Sequence, residues 1–547
     1  MGKMKDIKEK LLPKSKVWRI ESRKPLIEDI KDMDAAYDQD DNGLDSPLDQ
    51  NSFGIQEQDL KLKEEVWLQE LAELLHVVFT EDGIYTLMGP DPKSVVVGLI
   101  QKSVSQHFPK PPADLDQNLQ QHLMNVQNTV LSELTRLSPY LEPRGLMGCL
   151  IDSYHHQTWD HLQRLLQDTS SSQNSFVLIK WGLKTYLSQE LLGHPDLKEL
   201  HPVKEVDLLP FTEWGAQAKE KLLENVQKEV QGYLEKILRR EEDQEGCDGD
   251  EAVVRLYVDT IACVDAMPTE ALKISSELSR NVQEVCFQQL LIFVRRYKDE
   301  QTELLVKKAK VDEPELMHFF KTFITCLELK KYVQTKGAGV RTSLCVETVK
   351  ILDDMEAFTL KLLLDIITNI AESHLKNYFR SESKKFFLIE AVKSNFAKLM
   401  NHEDVRERVM NEAYKIIVHT YIKLLIKIKL SKLQKCWSPN VGQTVAQDAE
   451  WLHETFSDLA PGVQHWNLML LKVTEVLDCN DSDALKMTVA GMQKEKLTKS
   501  EDLELLHRLL LWKGLTKQQV RETLDAIPDD YQPTPRSGRW YSCFTCW

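Results

Sequence analysis

Residues 119–137, "LQQHLMNVQNTVLSELTRL", decide the fold class. Their apolar residues Leu119, Leu123, Val126, Val130, Leu134 and Leu137 recur at steps of 4, 3, 4, 4 and 3. That spacing draws one stripe down an α-helix, with Gln and Asn on the opposite side. Residues 219–238 repeat the device with Leu222, Val226, Val230, Leu234 and Ile237. Helical periodicity also covers 60–79, 147–167, 176–192, 270–298, 312–335, 343–379, 384–400, 404–435, 464–477, 483–493 and 501–512. The two-residue alternation of a half-buried strand is essentially missing, so an all-α protein is expected.

The breaks between these runs are short and polar: "PKPPADLD" (109–116), "DTSSSQNS" (168–175), "REEDQEGCDGDE" (240–251) and "KGAG" (336–339). Connections of that length suit antiparallel neighbours stacked in chain order. No fixed period of about 34 or 40 residues recurs, which argues against tetratricopeptide and HEAT arrays. The expected architecture is an elongated rod of consecutive helical bundles. Its expected parts are a basic arm (1–26), an acidic linker (27–59), helical bundles over 60–310, 311–440 and 441–528, and a Pro- and Cys-containing tail (529–547).

Composition agrees with helices. The 547 residues include only 21 Gly and 20 Pro, and the net charge is −16. A modestly acidic chain has no electrostatic reason to coat nucleic acid, which is not an expected partner. Ten cysteines, mostly single and on apolar faces (Cys263, Cys286, Cys326), suggest reduced thiols and a cytoplasmic setting. Neither a signal peptide nor a membrane span is expected. The most apolar window, 416–430, carries Lys423, Lys427 and Lys429.

Charge is segregated at the start of the chain. Residues 1–26 hold nine Lys and Arg against three acids, a net +6. Residues 27–59 hold Lys31 against eleven acids, a net −10. Within the acidic stretch, "DQDDNG" (38–43) matches the first half of an EF-hand loop. Asp45, Pro47 and Asp49 then stand where an apolar residue, a permissive position and a bidentate Glu are needed, and no second hand follows. The stretch reads as an acidic linker.

A search for chemistry finds no GxSxG, HExxH or P-loop pattern. "GAGVRT" (337–342) joins helices instead of following a strand, so no dinucleotide site is expected. "HHQTWDH" (155–161) reads as a solvated polar face and not as a metal centre. No enzyme, cofactor or metal is expected. For membrane contact, the arm supplies Lys3, Lys5, Lys8, Lys10, Lys14, Lys16, Arg19, Arg23 and Lys24 together with an interfacial Trp18. Each basic residue beside an anionic leaflet is worth about 1 kcal/mol. Cys543 and Cys546 are the candidate palmitoylation sites. The lysines of 415–435 fall all round a helical wheel, which predicts a core helix whose lysine stems snorkel outward.

Three segments carry a family resemblance: "VLIKWGLKTYLSQELLGHPDL" (177–197), "VQEVCFQQLLIFVRRYKDE" (282–300) and "HWNLMLLKVTEVLDCNDSDALKMTV" (465–489). In this order they resemble the exocyst component 3 family, the Sec6-like proteins, over roughly 60–528. The resemblance implies a rod of stacked bundles as in multisubunit tethering complexes. It also implies a non-enzymatic role in exocytosis: vesicle tethering at the plasma membrane through SNARE proteins and exocyst subunits. The chain has only a basic arm and an acidic linker before residue 60, where the core subunit has a long heptad region. It is therefore more similar to the exocyst-3-like and tumour necrosis factor alpha-induced protein 2 group. That likeness implies an alternative: an adaptor for membrane protrusion that binds phosphoinositide membrane and a Ral-type small GTPase, independent of the full exocyst.

Overall fold

The computed structural model describes residues 92–195, 197, 207–243, 250–311, 314–380, 386–396, 403–437, 440–494 and 500–525. The basic arm, the acidic linker, the run 60–79 and the tail with Cys543 and Cys546 lie outside them. Every regular element among the described residues is a helix. The all-α expectation holds.

One unit takes residues 1–237 and 259–286, and a second takes 238–258 and 287–547. The first unit begins with α1 (Pro92–His107), α2 (Leu115–Leu141), α3 (Met147–Asp168) and α4 (Ser172–Lys180). Asp114 starts α2 by accepting the Gln117 N–H, and Ser171 starts α4 by accepting that of Asn174. After α2 a 3₁₀ turn ends at Gly145, whose φ of 64° is the left-handed conformation that only glycine takes cheaply. All six stripe residues of α2 are at most 1% exposed. They face α3 and α4, and α1 packs on α3. Removing a side chain such as Leu134 costs about 2–5 kcal/mol, the lost transfer energy plus the cavity left behind.

Three long helices follow, α5 (Leu209–Asp243), α6 (Asp250–Leu272) and α7 (Ser276–Lys308), and the division between units falls within them. The second unit continues with α8 (Met317–Lys336) and α9 (Thr342–Tyr378), an antiparallel pair joined by the Gly337–Gly339 turn. That glycine pair is a helix connector, as its sequence context indicated. Then come α10 (Leu388–Phe396), α11 (Glu403–Leu425), α12 (Leu430–Cys436), α13 (Val441–Leu459), α14 (Asn467–Asp478), α15 (Ser482–Lys494), α16 (Ser500–Lys513) and α17 (Lys517–Asp525). α11 packs on α9, and α13 pairs with α14. One apolar cluster runs through these elements, from Phe319 and Phe323 through Leu363, Tyr414 and Ile417 to Leu452, Leu470 and Leu510.

Two expected helices are interrupted. The run 176–192 stays α-helical only to Lys180 and then makes a π turn over Trp181–Thr185. The indole of Trp214 lies where a side chain on Gly182 would be, 2.6 Å from an ideal Cβ, so the chain must widen around the ring. The run 404–435 breaks at 426–429 between α11 and α12. There Trp512 Nε1 donates to the Ile428 carbonyl at 2.5 Å and removes it from any helical ladder. Four helices, α1, α6, α13 and α17, were not expected.

Candidate functional site

In the first unit, α3 presents the histidine-rich segment 155–161. The solvated face expected there is only half right: His156 is exposed beside Asp152, but His155 and His161 are 1% and 2% exposed. His155 Nε2 lies 2.9 Å from the Asp207 carbonyl, which can only accept, so Nε2 carries the proton. Nδ1 is then left to accept from the Tyr186 hydroxyl at 3.0 Å. His161 Nε2 meets His122 Nε2 at 2.6 Å, a pair that needs one proton between the two nitrogens and has no room for a second. Burial, then the neighbouring His122, pulls the His161 pKa down to about 4. Burial also lowers His122 and His155. These are neutral packing histidines. Among the described residues no group of three or more His, Cys, Asp or Glu could hold a metal ion.

Among its described residues the second unit holds two buried carboxylates. Asp448 on α13 is fully buried and accepts from Tyr421 at 2.6 Å and from Tyr378 at 3.0 Å. Burial raises its pKa to about 7, although the two hydroxyls pull it back. Around it Tyr378, Phe379, Phe386, Tyr421 and Trp437 form an aromatic cluster. Glu356 on α9 is 3% exposed and is bridged by Lys330 at 2.6 Å and by Arg408. Arg408 also lies over the Phe323 ring, 5.4 Å from its centroid. Both carboxylates are taken up by these packing partners. The buried thiols are equally unsuited to chemistry: burial pushes Cys263 up to about 12 and moves Cys286 and Cys326 higher still.

The segments that carried the resemblance are packing segments. Asn411 Oδ1 accepts from Trp466 Nε1 at 3.0 Å and from the Gln464 N–H at 3.1 Å, while the Lys415 ammonium lies over the Trp466 ring. At the end of α16, Lys513 Nζ donates to the carbonyls of Val476, Leu477 and Cys479. Its neighbour Trp512 holds Ile428. Adjacent residues of one helix thus tie off both α14 and the turn after α11.

That turn carries Lys427 and Lys429 of the six lysines of 415–435, and the helices on either side carry the rest. Ile417, Tyr421, Leu425 and Leu433 are buried, while Lys423, Lys427, Lys429, Lys432 and Lys435 are all exposed. The snorkelling expected of this helix is present, but on the end of α11, the short α12 and the turn between them. Glu372 is the carboxylate on which Lys423 and Lys427 act, after its ion pair with Lys376 at 2.7 Å. No described helix is long and apolar enough to cross a membrane. The basic residues expected in the arm, and Cys543 and Cys546, lie outside the described residues. This exposed corner was missed because the wheel was drawn as one unbroken helix.

Comparison with known proteins places these features in a family. A family model described as exocyst complex component Sec6 matches residues 93–497, well over half of the chain. An exocyst complex component 3-like protein of Danio rerio is 20% identical over 459 residues, covering 76% of this chain and 57% of that protein. The Homo sapiens protein of the same description is 22% identical over 425 residues, 70% of this chain and 55% of its own length. The chain thus spans a little over half the length of these relatives. A crystal structure of M-Sec superposes with a TM-score of 0.58 at 17% identity, covering 86% of this chain and 84% of that one. That likeness is one of fold.

Proposed function

This chain belongs to the Sec6 exocyst-component family, and from that premise we propose that it is a non-enzymatic vesicle-tethering protein of exocytosis. In this reading it binds exocyst subunits and SNARE proteins, and sits in the cytoplasm as a peripheral protein of the plasma membrane. The family match over 93–497 carries the proposal. Stacked amphipathic helices also offer the grooves into which partner helices lay their apolar faces. The test is affinity recovery of the tagged full chain from cytosol. Stoichiometric recovery of several large helical subunits is expected, and their absence overturns the tethering reading.

A second reading is favoured by the net +6 of residues 1–26. There the protein is an adaptor for membrane protrusion, held by its basic arm on a phosphoinositide membrane and engaged by a Ral-type small GTPase. Palmitoylation of Cys543 or Cys546 would strengthen that hold. Co-sedimentation with vesicles containing phosphatidylinositol bisphosphate tests it. Binding that needs both the lipid and the arm, and that weakens as salt screens the charges, supports the adaptor. A chain that stays in the supernatant removes it.

A further inference from the structure

We propose that the α11–α12 corner, with Lys423, Lys427, Lys429, Lys432, Lys435 and Phe387, is a second membrane-contact site that recognises an anionic lipid surface. The inference extends the membrane readings above to a different part of the chain.

Helix stability explains only some of these cations. A lysine in the last turn of α11, such as Lys423, is favoured by the helix dipole. Lys429 is different. It caps the amino end of α12, where the dipole opposes positive charge, and no carboxylate occupies that helix's first turn. Lys432 and Lys435 are three apart on the same helix, a like-charge spacing that works against it. The region 415–435 contains six lysines and no acid. Lys435, in the last turn of α12, is favoured by the dipole as Lys423 is, and Lys423 and Lys427 act on Glu372; Lys429 and Lys432 are the cations that helix stability does not account for.

The kind of cation selects the partner. The corner's apolar residues Ile426, Ile428 and Leu430 pack on the core, while its five lysines are exposed. Separate ammonium groups on flexible stems suit a diffuse layer of lipid phosphates better than one fixed carboxylate, for which arginine forks are matched. Phe386 packs on Tyr378 and Tyr421, ring centroids 4.9 and 6.3 Å away, and the next side chain, Phe387, is 52% exposed. Phe387 thus follows a residue packed on Tyr421 of α11, and an exposed aromatic is a side chain that enters the headgroup layer of a bilayer.

The experiment is co-sedimentation of the full chain with phosphatidylcholine vesicles, with and without phosphatidylserine. Three variants are compared: the five corner lysines changed to Gln, Phe387→Ser, and the nine basic residues of the arm changed to Gln. The unchanged chain is expected to bind only the anionic vesicles. The corner variant is expected to lose at least about tenfold in partitioning, since each lysine near such a surface is worth several-fold. Phe387→Ser should lose a few-fold, and the arm variant should retain measurable binding. If the corner variant binds like the unchanged chain while the arm variant does not, the proposal is overturned and the arm reading stands. A chain that binds no vesicle overturns both. Loss in the lysine variant with no change in Phe387→Ser supports the lysines as the membrane contact and removes Phe387 from the site.

Discussion

Tyr421 of α11 and Asp448 of α13 share a 2.6 Å hydrogen bond inside a fully apolar shell, with Tyr378 as the carboxylate's second donor. The folded pKa of about 7 lies above the unfolded value of about 3.9. Below about pH 4 both states hold the proton and the site costs nothing electrostatic. As pH rises to 7 the unfolded chain releases it first, so stability falls, by at most about 4 kcal/mol at 1.36 kcal/mol per pKa unit. Asp448→Asn keeps one acceptor and adds a donor toward the tyrosine oxygens. It is expected to raise the urea midpoint of the second unit at pH 8 and to flatten its decline between pH 4.5 and 8. An unchanged slope in the variant would place the titration elsewhere.

The His122–His161 pair has the opposite sign. Its folded pKa values are depressed, to about 4 for His161, below the usual 6.5. Stability is fully present above 6.5 and is lost as pH falls toward 4, by about 3 kcal/mol for His161 alone. The double change His122→Leu with His161→Leu should leave the first unit less sensitive to acid. Thermal unfolding at pH 5 and pH 7 gives the comparison.

Gly182 is the tightest glycine beside an aromatic ring. An added Cβ would sit 2.6 and 2.7 Å from two Trp214 carbons, and Trp214 is itself 3% exposed against Trp159. Gly182→Ala is expected to cost about 1–3 kcal/mol by overpacking. Trp214→Leu in the same chain should recover part of that loss, which chemical denaturation of the single and double variants would reveal.

Glu356→Ala leaves Arg408 without this partner and Lys330 with Asp353 alone on a protein-lined face. Arg408 is half exposed, so water softens the loss, and about 2–3 kcal/mol of destabilisation is expected. Replacing all three groups by apolar residues should cost less than the single change, because no charge is then stranded. A triple variant weaker than Glu356→Ala would contradict that account.

Local pattern carried much of the fold. The stripe of α2 is buried as its spacing required, and α11 hides its apolar face although it is rich in lysine. Pattern failed where partners come from far along the chain. Asp448 lies on the core face of α13 and spoils its apolar stripe; only Tyr378 and Tyr421, 70 and 27 residues away, make it tolerable there. His155 and His161 looked solvent-facing because Tyr186, Asp207 and His122 are not their neighbours in sequence. The lysine corner was hidden for a related reason. A wheel assumes an unbroken helix, and the broken stretch at 426–429 is bonded by an indole 84 residues later.

The end of α16 shows how a pulling force on this chain would be shared. Force that has passed through α17, whose Val520 is itself buried in the core, arrives at Trp512 and Lys513. Trp512 passes it to the backbone at Ile428, and Lys513 to three carbonyls at 476–479. The pull is divided between two anchorages by consecutive side chains, and neither can be peeled away without straining the other.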